Sequence, residues 1–106
     1  MNSTAITSDL DRGLELLGAL AVETRLKLLL RLADGERCVC ELTPGVGEQS
    51  NVSRHLARLK ELGVVACRID GPRRMYRITD PAVPALLRAL GLATAPPLDS
   101  DGEFQL

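Results

Sequence analysis

Two cysteines, Cys38 and Cys40, are separated by one residue in a chain of 106 residues whose third cysteine is Cys67. Thiolates bind soft, thiophilic ions such as As(III), Sb(III), Cd(II), Pb(II) and Cu(I) in preference to hard cations. Charged residues flank the pair, among them Glu36 and Glu41, and this setting favours a ligand role over that of two small core side chains. The pattern therefore predicts a soft-ion site.

The one-residue spacing limits the backbone conformations that can present both thiols to one ion. Alternate residues of a strand project to the same side, whereas in an α-helix they lie about 200° apart. A helix that holds Cys38 and Cys40 should therefore begin in a distorted or unwound form. Pro44 cannot donate a hydrogen bond to the carbonyl of Cys40, four residues earlier, so a bound ion could shift this weakly held segment.

Length and composition are those of a small, single-domain protein. Tryptophan is absent and aromatic residues make up 2% of the chain, which predicts a helix-rich fold with an aliphatic core. Nothing resembles a signal peptide, and no apolar run is long enough to span a bilayer. An odd number of cysteines, two of them very close together, argues against a secreted disulfide scaffold and favours a reducing cytoplasm.

Charge is distributed unevenly along the chain. The formal net charge is −1, but the segment 53–77 contains seven Lys and Arg residues against only Glu61 and Asp70. The remainder of the chain is therefore acidic. This asymmetry predicts one basic face, which a nucleic acid could occupy.

Hydrophobic periodicity predicts one folded unit over residues 8–92, between a disordered segment 1–7 and a flexible tail 93–106. The predicted elements are a helix from residue 8, a helix over 22–33, a short or irregular helix after the cysteines, a helix over 50–61, strands over 64–69 and 74–79, and a helix over 81–91. Asp70-Gly71 between the two strands is a strong hairpin signal. This order is that of a helix-turn-helix followed by a β-wing.

The helix over 50–61 combines an apolar face with polar and basic residues near its N-terminal end, as a DNA-reading helix requires. Together with two arginines at the hairpin tip, these polar residues are the predicted DNA contacts: Gln49, Ser50, Asn51, Ser53, Arg54, His55, Arg58, Arg73 and Arg74. Arg54 could read a guanine or hold a phosphate, and the sequence does not decide between the two. Arg73 and Arg74 are expected to reach the DNA backbone or the minor groove.

Three stretches carry a family resemblance: ALAVETRLKLLLRLADGERCVCEL, VSRHLARLKELGVV and GPRRMYRITDP. On these motifs the chain resembles the arsenical-resistance repressor (ArsR/SmtB) family. CVCEL is similar to the CVCDL signature in which the family's arsenite and cadmium/lead sensors carry ligands. The resemblance implies a mostly α, homodimeric winged helix-turn-helix with a small β-hairpin. It also implies binding to double-stranded operator DNA at an inverted repeat, and release when a metal or metalloid binds.

The resemblance implies a site with few protein ligands. Thr43 stands where the family's arsenite sensor has a third cysteine, and residues 1–37 contain no cysteine. The last predicted helix lacks the His/Asp cluster of the family's zinc and nickel sites. What remains is a two-thiolate site at Cys38 and Cys40 for As(III) or Sb(III) as inducer, with Cys67, a small ligand or water as the third ligand. Strand alternation puts Cys67 on the inward face of the wing, which favours an inert buried thiol.

Together these observations predict a cytoplasmic repressor of a metal(loid)-resistance operon, without organic cofactor, membrane partner or enzymatic activity. With one histidine and no partnered acid pair, the chain offers no nucleophile–base set. One alternative is a repressor of the same fold that senses thiol redox state or reactive sulfur, although a Cys38–Cys40 bridge would close a strained small ring. A CxC metal-binding chaperone is a further alternative, which the basic helix and wing disfavour. Both thiols are expected to lie off the DNA face.

Overall fold

Five helices and three short strands form the part of the chain that the structure describes. The computed structural model describes the backbone of residues 2–92 and the side chains of residues 9–92. In chain order the elements are α1 (Asn2–Leu20), α2 (Glu23–Leu32), β1 (Arg37–Cys38), α3 (Val39–Leu42), α4 (Gln49–Glu61), β2 (Val65–Asp70), β3 (Arg73–Ile78) and α5 (Ala82–Ala89). The strands form one antiparallel sheet in the order β1-β3-β2. The predicted mostly α winged helix-turn-helix is confirmed. Within the described residues, no helix is both long and apolar enough to cross a membrane.

The first helix is longer than the sequence predicts. α1 begins at Asn2, so it includes most of the segment 1–7 that the sequence predicts to be disordered. Neither proline nor glycine occurs before Gly13, and the chain therefore has no residue there that would interrupt a helix. The predicted flexible tail, 93–106, lies outside the described residues.

A two-residue strand, β1, joins the cysteine segment to the wing. Arg37 pairs with Tyr76 and Cys38 pairs with Met75, both in β3. Two residues are too few for the alternation that identifies a strand in a sequence, which is why β1 is not among the predicted elements. Because of this pairing, the cysteine segment forms part of the wing sheet.

Two glycines with positive φ mark the ends of the elements that carry the predicted DNA contacts. Gly63, at φ 76°, follows α4, and Gly71, at φ 61°, lies in the turn between β2 and β3. This left-handed region is costly for residues that have a Cβ atom. The register runs from Val65 opposite Ile78 to Asp70 opposite Arg73, so the predicted hairpin is confirmed.

The core is aliphatic, as the composition predicts. The side chains with 0% exposure come from α2, α3, α4 and α5 and from the residue before β2: Leu28, Leu29, Leu42, Val52, Leu56, Leu59, Val64 and Leu87. Tyr76 of β3 is 5% exposed and packs into the same cluster. The wing is therefore anchored in the core that also holds α4.

A row of large apolar side chains remains in solvent. Leu10, Leu14 and Leu17 of α1 are 60%, 59% and 56% exposed, and Leu90, just after α5, is 60% exposed. Spacings of three and four residues put the three α1 leucines on one stripe of the helix. These four residues are referred to below as the leucine surface.

Arg12 connects α1 to the C-terminal end of α4. Its Nη1 donates to the carbonyl oxygen of Leu62 at 2.7 Å, and its Nη2 donates to the carboxylate of Asp80 at 2.8 Å. The N–H of Ala82 also donates to Asp80, at 2.9 Å. This backbone hydrogen bond, together with the Arg12 contact, lowers the pKa of Asp80 against the opposing effect of burial. The leucine-bearing helix is thereby tied to the helix that carries the predicted DNA contacts.

Candidate nucleic-acid interface and thiol site

The helix α4 buries its apolar face in the core and leaves its polar residues accessible. The predicted DNA contacts on α4 form two groups. Four of them are exposed, namely Gln49, Ser50, Arg54 and Arg58. The other three are partly buried, namely Asn51, Ser53 and His55. A helix with this division of faces can enter a major groove with its N-terminal residues at the base edges. None of these seven side chains is buried.

The two arginines of α4 have different partners. Arg54 Nη2 donates to the side-chain oxygen of Asn51, a neutral group. Arg58 Nη1 donates to the carboxylate of Glu61 at 3.2 Å, which partly compensates its charge. Arg54 is thus oriented without being neutralised, and it is the better placed of the two to bind a guanine or a phosphate.

His55 has a protein partner that the sequence does not predict. Its Nδ1 accepts a hydrogen bond from Nε of Arg25, in α2, at 3.1 Å. Because Nδ1 accepts, the ring proton of the neutral form is on Nε2. Burial, followed by the charges of Arg25 and Arg54, lowers the pKa of His55. His55 therefore favours the neutral form, and Arg25 joins α2 to α4. The two residues are 30 positions apart, and no local pattern in the sequence pairs them.

The wing is braced against the cysteine segment. Arg68 of β2 donates from Nε and Nη2 to the two carboxylate oxygens of Glu36, at 2.7 and 2.8 Å. Such paired, charge-assisted hydrogen bonds fix orientation as well as distance. At the hairpin tip, Arg73 and Arg74 are exposed, and Arg73 lies 4.0 Å from the carboxylate of Asp70. Both predicted wing contacts are therefore presented to solvent on a fixed hairpin.

The two cysteines of the predicted soft-ion site lie on either side of the point where the backbone passes from strand β1 into helix α3. Cys38 ends β1 and has extended dihedrals, with φ −83° and ψ 161°, whereas Cys40 lies in α3. Their Cα atoms are 5.2 Å apart and their sulfur atoms are at bonding distance, as a disulfide. Cys38 is 1% exposed and Cys40 is exposed. The predicted non-helical start of this segment is therefore present, and both sulfur atoms face the same side.

Glu41 stabilises the start of α3. Its Oε1 accepts a hydrogen bond from the backbone N–H of Cys38 at 2.9 Å, and the two residues form a capping box. The sequence signal was present, because an acidic residue follows the cap by three positions. The capping box was not recognised in the sequence because its N-cap residue is a cysteine and not the usual serine or threonine. At the other end of α3, the hydroxyl of Thr43 donates to the carbonyl oxygen of Val39 at 2.8 Å.

One cleft contains the thiol pair and several of the predicted DNA contacts. It has a volume of about 460 Å³ and is lined by residues of β1, α3, α4 and the wing tip: Cys38, Val39, Cys40, Gln49, Ser53, Pro72, Arg73 and Arg74. The sequence led us to expect the thiols off the DNA face, whereas the fold places them beside four of the predicted DNA contacts. This proximity arises because β1 pairs with β3 and so carries the cysteines to the wing.

Cys67 is separated from the thiol pair by the sheet. It pairs with Tyr76, whereas Cys38 pairs with the next residue of β3, Met75. Adjacent residues of a strand project to opposite faces, so Cys67 and Cys38 lie on opposite sides of the sheet with β3 between them. Cys67 is a free, partly buried thiol. Burial is the main reason for the raised pKa of Tyr76, and the adjacent Cys67 adds to it.

Comparisons with known proteins agree with this architecture. The sequence model described as "Bacterial regulatory protein, arsR family" matches residues 23–66. The chain is 42% identical over 74 residues to the arsenical resistance operon repressor of Escherichia coli, a match that covers 68% of this chain and 62% of that protein. It is 41% identical over 85 residues to the "Probable mercury resistance operon repressor" of Streptomyces lividans, covering 76% of this chain and 66% of that protein. The matched part thus spans less than two thirds of either relative.

Solved structures extend the likeness to the fold. The homodimeric winged helix-turn-helix DNA-binding domain of Mb0332 from Mycobacterium bovis superposes with a TM-score of 0.72 at 32% sequence identity. That match covers 81% of this chain and 81% of the Mb0332 domain. The likeness therefore includes the wing as well as the helix-turn-helix.

Proposed function

This chain belongs to the ArsR family of bacterial regulatory proteins, and from that premise we propose that it is a cytoplasmic, DNA-binding repressor of a metal(loid)-resistance operon. As(III) or Sb(III) binds to Cys38 and Cys40 and releases the protein from its operator. The observation that supports this most directly is the cleft, which holds both thiols beside the start of α4 and the wing tip. An ion bound there acts on the DNA-binding side chains themselves.

In this proposal α4 is the recognition helix and the hairpin contacts the DNA backbone. Arg54→Ala should weaken operator binding by about 1–3 kcal/mol and relax specificity at one position if Arg54 reads a base. Arg73→Ala and Arg74→Ala should weaken binding to all sequences alike and flatten its salt dependence. Arg88→Ala, the same charge change on α5, is the control and should leave the affinity unaltered. Wing variants that changed sequence preference while Arg54→Ala had no effect would contradict this docking.

The thiol chemistry favours As(III) or Sb(III) as inducer. Two adjacent sulfur atoms can bind one soft ion, and the position of Cys67 across the sheet supports a site with only these two protein thiolates. Among the soft ions, three-coordinate As(III) is the one best suited to a site with only two protein thiolates, because a single small ligand completes its coordination. The relatives described above include a mercury as well as an arsenical resistance operon repressor, so the ranking of ions is part of the proposal.

Serine variants test the thiol site. Cys38→Ser and Cys40→Ser should each keep DNA binding and lose release by arsenite, since a hydroxyl is a poor ligand for a soft ion. The fold should tolerate both changes, because Cys40 is exposed and serine is a good helix N-cap at position 38. Fluorescence anisotropy of labelled operator DNA, measured on reduced protein during an arsenite titration, gives both quantities. Cys67→Ser is the matched control and should respond as the wild type does. If both variants still released DNA at wild-type arsenite concentrations, the pair would not be the sensor.

A repressor that senses thiol redox state or reactive sulfur is a second candidate. It is favoured by the 5.2 Å separation of the Cα atoms of Cys38 and Cys40, which is within the range that a disulfide requires. Operator release by an oxidant such as diamide, reversed by a thiol reductant, with no response to arsenite under reducing conditions, would favour this candidate over the first. Release by arsenite in the presence of a phosphine reductant would favour the metalloid sensor.

The leucine surface supports a homodimer. Four large apolar side chains on α1 and after α5 are more than half exposed, and a twofold interface between two copies would cover them. The likeness to the homodimeric Mb0332 domain is in keeping with this. A symmetric dimer presents two recognition helices about one helical turn of DNA apart and therefore requires an inverted-repeat operator.

A further inference from the structure

The two thiolates leave one position open on a three-coordinate ion. No group of three or more His, Cys, Asp or Glu side chains among residues 9–92 is arranged to hold a metal ion. Cys67, the remaining thiol, lies on the other face of the sheet from Cys38. The third ligand therefore has to enter the cleft from solution.

The cleft is larger and more positively charged than a bare ion requires. Its volume of about 460 Å³ compares with about 30 Å³ for one water molecule and with about 300–1,000 Å³ for small-molecule sites. Arg73 and Arg74 line it, together with the amide of Gln49 and the hydroxyl of Ser53, and none of the lining residues is acidic. A small anion has both room and partners beside the sulfur atoms.

We propose that the third ligand is a small anionic thiol, and that the cleft binds As(III) and this thiol as one complex. Its sulfur completes the coordination of the ion held by Cys38 and Cys40, and its carboxylates bind Arg73 and Arg74. This rests on the proposed function, since it assumes that As(III) binds to the Cys38–Cys40 dithiol.

The reaction balances without any change of oxidation state. Arsenous acid, As(OH)₃, reacts with the thiols of Cys38 and Cys40 and with one small thiol. Three As–O bonds break and three As–S bonds form, and each thiol proton leaves with a hydroxide as water. The product has three sulfur ligands, and arsenic remains As(III).

This arrangement gives a physical reason for release from DNA. The arginines that bind the carboxylates of the small thiol are the wing residues proposed to bind DNA phosphates. Both partners are anions, so the complex and the DNA backbone compete for the same guanidinium groups. Occupation of the cleft thereby weakens DNA binding without requiring a large movement of α4.

The test measures arsenite binding to the full chain without DNA, so that loss of operator affinity cannot interfere. The protein is reduced with a phosphine, which is then removed, and arsenite is titrated by calorimetry in the presence of one of three thiols. These are mercaptosuccinate, which is anionic, mercaptoethanol, which is neutral, and cysteamine, which is cationic, with the arsenite affinity of each thiol measured separately. Native mass spectrometry identifies what is bound.

We expect a complex of one chain, one arsenic and one thiol, with about tenfold tighter binding for mercaptosuccinate than for mercaptoethanol, as two exposed ion pairs would provide. Cysteamine should give the weakest binding. The double variant Arg73→Ala/Arg74→Ala should lose this order of preference. Arg77→Ala, the same charge change on β3 outside the cleft, should keep it.

Three results would overturn the inference. They are an arsenic adduct without thiol mass, equal affinity with all three thiols, and an unchanged preference in the double variant. In each of these cases arsenite still binds, and the proposed function stands. If reduced wild-type protein bound no arsenite with any thiol, the proposed function would fail as well.

Discussion

Leu14→Ala should weaken the homodimer strongly. Leu14 is 59% exposed in the single chain and lies at the centre of the α1 stripe, between Leu10 and Leu17. In a twofold interface each substitution occurs twice, once in each copy. Loss of this side chain therefore removes apolar contact on both sides of the axis.

The magnitude follows from the exposed fraction. Full burial of a leucine side chain stabilises by about 1.5–3 kcal/mol, so covering the exposed part of Leu14 contributes about 0.9–1.8 kcal/mol in each copy. Two copies contribute about 1.8–3.6 kcal/mol. Since about 1.4 kcal/mol corresponds to a tenfold change, the dissociation constant of the dimer should rise about 20- to 400-fold.

Sedimentation velocity over a dilution series from micromolar to nanomolar chain concentration measures this constant directly. Ile69→Ala is the matched control, because Ile69 is 66% exposed but lies on β2, away from the leucine surface. It should leave the dimer unaffected. A Leu14→Ala protein whose dissociation constant equals that of the wild type would refute the assignment of this surface.

Three further predictions concern stability, protonation and access to the thiols. Asp80→Asn should lower the free energy of unfolding at pH 7 by about 1–2 kcal/mol. Because the pKa of Asp80 is lowered in the fold, its contribution is present above the unfolded-state value of about 3.9 and is lost as the pH falls through the folded-state pKa. The difference in the free energy of unfolding between the wild type and Asp80→Asn, measured by urea denaturation, should therefore shrink below about pH 4. A difference that did not change with pH would contradict this. His55 is the only histidine, so its ring signals in an NMR titration should report a pKa below about 6.5. Arg25→Ala should raise the pKa of His55, but burial, which is the larger cause of the shift, should keep it below the ordinary value. An ordinary pKa in the wild-type protein would contradict the burial of His55 and its contact with Arg25. Iodoacetamide should alkylate Cys40 of the reduced protein several-fold more slowly when the operator is bound, because the DNA would cover the cleft. Mass spectrometry measures the alkylation rate, and equal rates with and without operator would show that the cleft stays open.

The sequence alone predicted the features that depend on neighbouring residues. Helical spacing identified α4 and its apolar face, and Asp70-Gly71 identified the hairpin, because these signals act over one to four positions. The cysteine spacing indicated that the two thiols could not bind one ion from within a regular α-helix. The extended dihedrals of Cys38 agree with that. The family resemblance rested on the same local motifs.

Only the tertiary structure decided which of these elements meet. The two-residue strand β1 has no sequence signature, yet its pairing with β3 carries Cys38 and Cys40 to the wing tip. The contact between Arg25 and His55 likewise joins positions that are far apart in the chain. Such contacts depend on strand register and helix packing, which arise from the burial of the whole core rather than from any short segment.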